Sequence, residues 1–149
     1  MNQAALRLQR WSISDQPHFV TIVTRRRAPL FGEFDTARRV VDEMRRIHEQ
    51  HTVTSLAWVL MPDHLHWLFV LRGRTGLDVV MHDFKSRSAA VVSGSRDRRR
   101  QVWQSGYLDR SVRCDEELQR LGRYIVGHPV RARLVGNLGD YPHWDAVWL

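Results

Sequence analysis

The sequence predicts an α+β fold: a ferredoxin-like (RRM-like) antiparallel sheet in the order β-α-β-β-α-β, followed by a further helix. Three observations lead there. Runs of β-branched and aromatic residues alternate with two segments of helical periodicity, two neighbouring runs are joined by a tight-turn dipeptide, and a third helical segment follows the last run. A length of 149 residues suits a single domain over 1–149, with an aromatic tail, 136–149, that packs on the domain or extends from it.

The first strand and helix occupy the first third of the chain. HFVTIVT (18–24) is β-branched and aromatic, which is typical of a strand, and Arg25, Arg26 and Arg27 follow as a basic loop. The segment 35–50 predicts a helix with Asp35 or Thr36 as its cap. Its apolar residues share one helical face: Ala37, Val40, Val41, Met44 and Ile47.

The middle of the chain predicts a hairpin and a second helix. SLAWVLM (55–61) and LHWLFVL (65–71) are two strands joined at Pro62-Asp63. Strand alternation gives the second strand one apolar face, formed by Leu65, Trp67, Phe69 and Leu71, which should pack under the two main helices. His64 and His66 then lie on the opposite face, with Leu68 and Val70. Helical spacing resumes from Leu77 to about Val92.

The last third predicts a loop, a strand and a final helix. SGSRDRRR (93–100) has the composition of an exposed loop, and QVWQSGYLDRSVR (101–113) predicts the fourth strand. Asp115 can cap a helix whose first turn carries two glutamates, which suits the helix dipole. This helix should run to about Gly127, because Pro129 disfavours helical geometry at His128.

The charge of the chain points to a polyanionic partner. Lysine and arginine total 23 against 16 acidic residues, which gives a net charge of +7, and only one of the 23, Lys85, is lysine. Arginine binds phosphate bidentately and stacks on flat rings, so an arginine-rich basic chain favours nucleic-acid binding. A coding bias toward arginine codons would explain arginine in place of lysine, but it would not explain the net excess of positive charge.

Cysteine usage and hydropathy predict a cytoplasmic protein with no membrane segment. A single cysteine, Cys114, cannot form an internal disulfide, which fits a reducing compartment. The first residues lack the apolar core of a signal peptide, and no stretch approaches the roughly 20 apolar residues of a membrane span.

Three histidines and a tyrosine are the candidates for chemistry. At the end of the final helix, Tyr124 and His128 are four residues apart, so they share a face that can turn toward His64 and His66 if the helical register holds to the end. Three imidazoles can hold a divalent metal that polarises a phosphoryl oxygen, and a tyrosine beside them can act as a nucleophile. Each feature also has a structural explanation, since paired histidines on a strand and a tyrosine at a helix–sheet seam are common packing residues.

Six segments, in order along nearly the whole chain, carry a family resemblance. They are HFVTIVTRRRAPLF (18–31), VLMPDHLHWLFVL (59–71), FKSRSA (84–89), VWQSGYLDRSVR (102–113), RYIVGHPVRARLV (123–135) and YPHWDAVWL (141–149). With them the chain resembles the REP-associated tyrosine transposases, a branch of the IS200-like single-tyrosine HUH transposases. The MPDHLH block followed by the YIxxxPVRAxLV block is the most specific part of this resemblance.

The resemblance implies a metal-dependent enzyme that nicks single-stranded DNA and transfers the strand. His64 and His66 match the HUH pair, which in the family holds Mg²⁺ or Mn²⁺ against the scissile phosphate. Tyr124 matches the catalytic tyrosine, which forms a 5′-phosphotyrosine link and releases a free 3′-OH. His128 stands where relatives usually carry Asn or Gln, so it keeps a residue that can bind metal while shifting the expected preference toward borderline ions.

For this branch the resemblance implies single-stranded or hairpin DNA of the REP type as substrate. Arginines could bind the phosphates of the stem, and unpaired bases could stack on exposed aromatic side chains. The candidates for contact with the DNA backbone are Arg25, Arg26, Arg27, Lys85, Arg87, Arg96, Arg98, Arg99 and Arg100. A monomer is the expected state for this branch, with a homodimer that shares active sites as the alternative.

Two other functions compete with a transposase. One is a catalytically inactive protein that binds DNA hairpins, since the ferredoxin-like sheet also serves RNA-binding proteins. The other is a metal-dependent hydrolase that releases its product to water, which ranks last because carboxylate ligands are not evident near the histidine pair. The presence of His64, His66 and Tyr124 together favours cleavage over binding alone.

Overall fold

The computed structural model describes residues 16–73, 75–94 and 102–147. Their centre is a five-stranded sheet in the order β4-β1-β3-β2-β5, in which every neighbouring pair is antiparallel. The strands are β1 (Pro17–Val23), β2 (Val53–Met61), β3 (His64–Leu71), β4 (Leu108–Ser111) and β5 (Trp144–Ala146). The first four strands have the order of a ferredoxin-like sheet, so the predicted fold class is confirmed.

The helices lie on both faces of this sheet. They are α1 (Phe34–Glu49), α2 (Leu77–Ser93), α3 (Asp115–Val126) and the single turn α4 (His128–Arg131). Helices α1 and α2 cover one face, where Leu65, Trp67 and Phe69 of β3 are fully buried in the larger hydrophobic cluster. None of the helices in the described ranges combines the length and apolar character needed to cross a bilayer.

Helix α3 covers the other face of the sheet. It contributes Leu118, Leu121 and Ile125 to a second hydrophobic cluster, which also contains Leu68 and Val70 of β3. These apolar residues recur at helical spacing, so one stripe of α3 is buried while the neighbouring stripe is left at the edge of the sheet. The alternation of β3 therefore separates an apolar side under α1 and α2 from a side that faces α3.

The helix starts differ from the predicted caps. Asp35 and Asp115 lie within the first turns of α1 and α3, and the N-cap positions are Glu33 and Cys114. Thr36 does not cap α1 either; its hydroxyl donates to the Glu33 carboxylate. Negative side chains in a first turn still complement the exposed N–H groups there, which is why the acidic signal was off by only two residues at Asp35 and one at Asp115.

The predicted strand at 101–113 is mostly a loop. Only Leu108–Ser111 pairs with β1, while Trp103 forms an isolated bridge to Thr24 and turns its ring into the α1–α2 side. The Trp103 indole N–H donates to the buried Ser88 hydroxyl at 2.9 Å. Gly106 has a φ of +77°, a left-handed conformation that interrupts an extended chain.

The chain continues in helical geometry at His128, contrary to the expectation from Pro129. Gly127 has φ −80° and ψ −8°, and His128 opens the turn α4 with Pro129 in its first positions. Proline is tolerated there because the first N–H groups of a helix have no partner within that helix. The break between α3 and α4 is consequently confined to Gly127.

The tail supplies an element that the sequence did not predict. Residues 144–146 form β5, which pairs with β2 and makes the outer edge of the sheet. The Tyr141 hydroxyl donates to the Leu60 carbonyl at 2.5 Å, and the Leu60 N–H donates to the His143 carbonyl at 2.9 Å. The described part of the tail is thus joined to the sheet by backbone pairing.

Candidate active site

The site begins with His64 and His66 on β3, the central strand of the sheet. Their rings lie on the face that α3 covers, with centroids 4.7 Å apart, and only 9% and 8% of each residue is exposed. Strand β3 pairs along its length with β1 and with β2. Because hydrogen bonds on both sides hold this strand, the two imidazoles project from a rigid part of the backbone.

Asp63 orients the ring of His64. The His64 Nδ1–H donates to Asp63 Oδ1 at 2.6 Å, and the other carboxylate oxygen accepts from Arg27 Nε at 3.2 Å. Partial burial raises the pKa of Asp63, but the hydrogen bond and charge of His64 and the charge of Arg27 outweigh it, so the net pKa is below the ordinary value. With its proton on Nδ1, His64 presents the lone pair of Nε2 to the site.

Thr21 orients the ring of His66, as Asp63 orients that of His64. It stands directly opposite His66 in the β1–β3 register, and its Oγ1 lies 2.9 Å from His66 Nδ1. Phe19 stacks on the imidazole with centroids 5.4 Å apart. Burial, followed by the neighbouring charges of His64, His128 and Arg131, lowers the pKa of His66 to about 3. The ring is therefore neutral at physiological pH, as a metal ligand must be.

His128 completes a cluster of three imidazoles. It comes from α4, and its Nε2 lies 3.1 Å from His64 Nε2. One nitrogen from each of the three histidines lies within 4.8 Å of the others, an arrangement that can hold a metal ion. Burial, with the charges of His64 and Arg131, lowers the pKa of His128, although Asp63 opposes the shift.

The surroundings of His128 differ from those of the other two histidines. Its Nδ1 faces a donor, Arg131 Nη2, at 3.5 Å, whereas Nδ1 of His64 faces a carboxylate. A neutral imidazole carries one N–H, so a donor at Nδ1 favours the tautomer with the proton on Nε2. That proton points at His64 Nε2. The Nε2 atom of His128 is accordingly less available to a metal ion than the corresponding atoms of His64 and His66.

Tyr124 lies beside the three imidazoles in the same chain. It projects from the last turn of α3, and its ring centroid lies 6.0 Å from that of His66 and 5.8 Å from that of His128. The residue is 44% exposed, and no side chain in the described ranges hydrogen bonds its hydroxyl. The phenol is thus open to a molecule that approaches the histidines from solvent.

The structure separates the expected DNA contacts into groups. Arg25, Arg26 and Arg27 are exposed beside the histidine strand, because the Thr24 N–H donates to the Asp63 carbonyl at 2.9 Å. Lys85 instead donates to the carbonyls of Gln104 and Gly106, each at 2.7 Å, and burial lowers its pKa.

Arg87 also lies away from the histidines. It pairs with Asp83 one turn earlier on α2, at 3.0 Å, and α2 covers the opposite face of the sheet. The remaining expected contacts, Arg96, Arg98, Arg99 and Arg100, lie outside the described residues. Of the described candidates, only the loop 25–27 is brought next to the histidine cluster.

Three residues of the site were not predicted. Asp63 was interpreted only as part of a turn, although a carboxylate directly before a histidine pair was a usable signal. Thr21 could not be identified before the register of β1 against β3 was known. Arg131, whose guanidinium carbon lies 4.3 Å from the centroid of the Tyr124 ring, lies in the PVRA part of the 123–135 block, but no role was assigned to it.

Comparison with known proteins agrees with the fold. A solved structure described as a REP-associated tyrosine transposase bound to a REP hairpin matches with a TM-score of 0.74 and 20% identity, over 91% of this chain and 79% of that one. A structure from Deinococcus radiodurans, provisionally assigned as a transposase, matches with a TM-score of 0.58 and 18% identity, over 78% of this chain and 92% of that one. At such identities the likeness establishes the fold.

Sequence comparison extends the agreement from fold to family. No protein with a curated description matches the chain. The family model described as "Transposase IS200 like" matches residues 13–128. That span is more than half of the chain and contains β1 through α3, with both β3 histidines and Tyr124. The chain therefore belongs to the IS200-like transposase family.

Proposed function

We propose that this protein is a metal-dependent single-stranded DNA endonuclease and strand transferase that cleaves at REP-type hairpins through a 5′-phosphotyrosine intermediate. One observation carries the proposal: the ring of Tyr124 lies within 6.0 Å of the imidazoles of His66 and His128, in a single chain. A nucleophile beside a cluster of imidazoles that can hold a divalent ion is what phosphoryl transfer to a tyrosine requires. A protein that only binds DNA has no physical need for that combination.

His64 and His66 are the residues that would hold the metal. Asp63 and Thr21 lie at their Nδ1 atoms, which leaves Nε2 as the ligand atom of each. His64 Nε2 lies 3.1 Å from His128 Nε2, and His128 is the candidate for a third ligand. Imidazoles suit borderline ions, so of the two family metals the softer Mn²⁺ fits this donor set better than Mg²⁺, which prefers oxygen. A bound divalent ion supplies Lewis-acid polarisation of the scissile phosphate.

Tyr124 would carry out the covalent step. Its hydroxyl oxygen bonds to phosphorus as the phenolic proton leaves, the bond from phosphorus to the 3′ oxygen breaks, and the 3′ oxygen takes up a proton. The products are a 5′-phosphotyrosine and a free 3′-OH. One phosphodiester replaces another, so attack by a 3′-OH can reverse the step without an external source of energy.

The loop 25–27 would guide the DNA to the site. Its three arginines are exposed next to Asp63, and the chain has a net charge of +7. Arg27 is held by Asp63, which leaves Arg25 and Arg26 for phosphate contact; neither has a side-chain partner among the residues that the structure describes. Since the tyrosine and the histidines come from one chain, we expect a monomer to be sufficient for cleavage. Chromosomal DNA as substrate is consistent with the cytoplasmic location expected from the sequence.

The test is formation of a covalent adduct. Single-stranded DNA with a REP-type hairpin and an unpaired flank is incubated with the protein and Mn²⁺, then separated under denaturing conditions. We expect a protein–DNA species with the wild type and none with Tyr124→Phe. Tyr107→Phe is the matched control, because the Tyr107 hydroxyl donates to Asp78 in a different part of the protein.

Three other outcomes would redirect the assignment. An adduct with Tyr124→Phe would mean that another residue is the nucleophile. Tight hairpin binding without nicking at any metal concentration would favour the inactive hairpin-binding protein. Nicking without a protein–DNA adduct would favour a hydrolase that uses water.

A further inference from the structure

The turn between α3 and α4 is stabilised by one arginine side chain. A continuous helix would need an N–H at position 129 for the Ile125 carbonyl, and Pro129 has none. The Gly127 N–H instead bonds the carbonyls of Arg123 and Ile125, and the Arg131 guanidinium reaches back seven residues to donate to the Tyr124 carbonyl. A cation at a helix C-terminus complements the carbonyls exposed there.

The same guanidinium also contacts the Tyr124 ring. Its central carbon lies 4.3 Å from the ring centroid, within the range of a cation–π interaction, and its Nη2 lies 3.5 Å from His128 Nδ1. Arg131 therefore contacts the backbone and the ring of Tyr124 and the third imidazole at once. No described side chain hydrogen bonds the Tyr124 hydroxyl, so the side chain is restricted by ring contacts, of which the Arg131 contact at 4.3 Å is shorter than those with His66 and His128.

Gly127 leaves the space that Arg131 occupies. A Cβ at position 127 would lie 2.6 Å from Arg131 Nη1 and 3.2 Å from the Arg123 carbonyl oxygen. With φ −80° and ψ −8°, Gly127 has a conformation that any residue can adopt. Glycine therefore provides space for the guanidinium at this position rather than backbone freedom, and a side chain here would displace it.

We propose that Arg131 is a positioning residue, which holds the Tyr124 ring toward the histidines through its contacts with the carbonyl and the ring of Tyr124. This inference rests on the proposed function, in which Tyr124 is the nucleophile. A planar guanidinium can donate to a carbonyl in its plane while its face lies against a ring, which an ammonium group cannot do. Loss of the contact would leave the Tyr124 ring in the reactive orientation less often. It would not change how the DNA binds.

The test compares rates of adduct formation in single-turnover reactions. We expect Arg131→Ala to slow the reaction roughly 10- to 100-fold, the scale of a small misplacement of a reacting group, with an unchanged Kd for hairpin DNA. Arg131→Lys should recover part of the rate. Arg123→Ala removes a neighbouring exposed cation from the same helix and should leave the rate unchanged.

Gly127→Ala tests the position of the Arg131 guanidinium without removing its charge. It keeps Arg131 but places a methyl group where the guanidinium lies, and it substitutes a residue that is already in helical geometry, so the protein should remain folded. We expect Gly127→Ala to slow adduct formation, and the double variant Gly127→Ala/Arg131→Ala to be no slower than Arg131→Ala alone. Independent, multiplying losses would contradict a shared contact, and a loss of DNA affinity without a loss of rate would make Arg131 a phosphate contact instead.

A measurement on the free protein keeps the inference testable if the proposed function fails. An NH group over an aromatic ring is shifted upfield in the NMR spectrum by the ring current. We expect this shift for the side-chain NH groups of Arg131 in the wild type and in Tyr124→Phe, and its loss in Gly127→Ala and Tyr124→Leu. An Arg131 spectrum that Tyr124→Leu leaves unchanged would overturn the contact, whereas a wild type without any adduct would overturn the function.

Discussion

Replacement of Asp63 by asparagine should weaken metal binding at His64. The substitution preserves size and removes the charge that accepts the His64 Nδ1 proton at 2.6 Å. It also places a neutral amide, in place of a carboxylate, against Arg27 Nε. The asparagine amide can present either its oxygen or its NH₂ group to the ring, and the second orientation favours the tautomer whose Nε2 carries a proton. That tautomer cannot bind a metal through Nε2.

The expected magnitude follows from the kind of bond that is lost. A hydrogen bond to a charged acceptor contributes about 1.5–3 kcal/mol, and loss of a carboxylate that orients a ligating histidine typically weakens metal binding about 10- to 100-fold. The two figures agree, since a tenfold change corresponds to about 1.4 kcal/mol. The ion pair with Arg27 adds little, because 60% of that side chain is exposed to solvent.

Isothermal titration with Mn²⁺ at pH 7.5 measures the effect directly. Asp42→Asn is the matched control, since Asp42 is an exposed carboxylate on α1 that pairs with Arg45. We expect the control to bind Mn²⁺ like the wild type and Asp63→Asn to bind it at least tenfold more weakly. Equal Mn²⁺ affinity in Asp63→Asn and the wild type would refute the view that the carboxylate prepares His64 for the metal.

Three shorter predictions concern pH, ligands and salt. Burial holds the pKa of His66 at about 3, below the ordinary 6.5, so the unfolded chain takes up a proton first as the pH falls. The stability that this group contributes should be complete above pH 6.5 and decline toward pH 3, more steeply in the wild type than in His66→Gln, as measured by urea unfolding. His128→Gln should form adduct within tenfold of the wild-type rate while His64→Gln forms none, and equal losses would make the two histidines equivalent ligands. Loss of Arg25 and Arg26 should lower the slope of log Kd against log salt by roughly 0.7–0.9 for each phosphate contact, and an unchanged slope would remove the loop from the DNA path.

Local periodicity accounts for what the sequence predicted correctly. The alternation of β3 depends only on neighbouring residues, so its apolar side could be assigned to the α1–α2 layer before any pairing was known. The same holds for α3, where spacing alone distinguishes the buried stripe from the face that carries Tyr124. The two local patterns together brought the histidine pair and the tyrosine to one side of the sheet.

Elements that depend on distant contacts could not be predicted. Val102 and Trp103 have the composition of a strand, yet both pack in the hydrophobic cluster under α1 and α2. There the Trp103 indole N–H donates to the Ser88 hydroxyl, and its ring lies near that of Phe84. Strand β5 has three residues and exists because β2 offers a free edge to it. Thr21 meets His66 only through the register of two strands that are far apart in the sequence.

The gap at Gly127 couples two positions of the sequence. A side chain at 127 and the Arg131 guanidinium compete for the same space, so the effect of a change at one position depends on the residue at the other. In this chain a larger residue at 127 would displace the guanidinium from the carbonyl and the ring of Tyr124. Once the arginine has been replaced, a side chain at 127 should therefore cost nothing further.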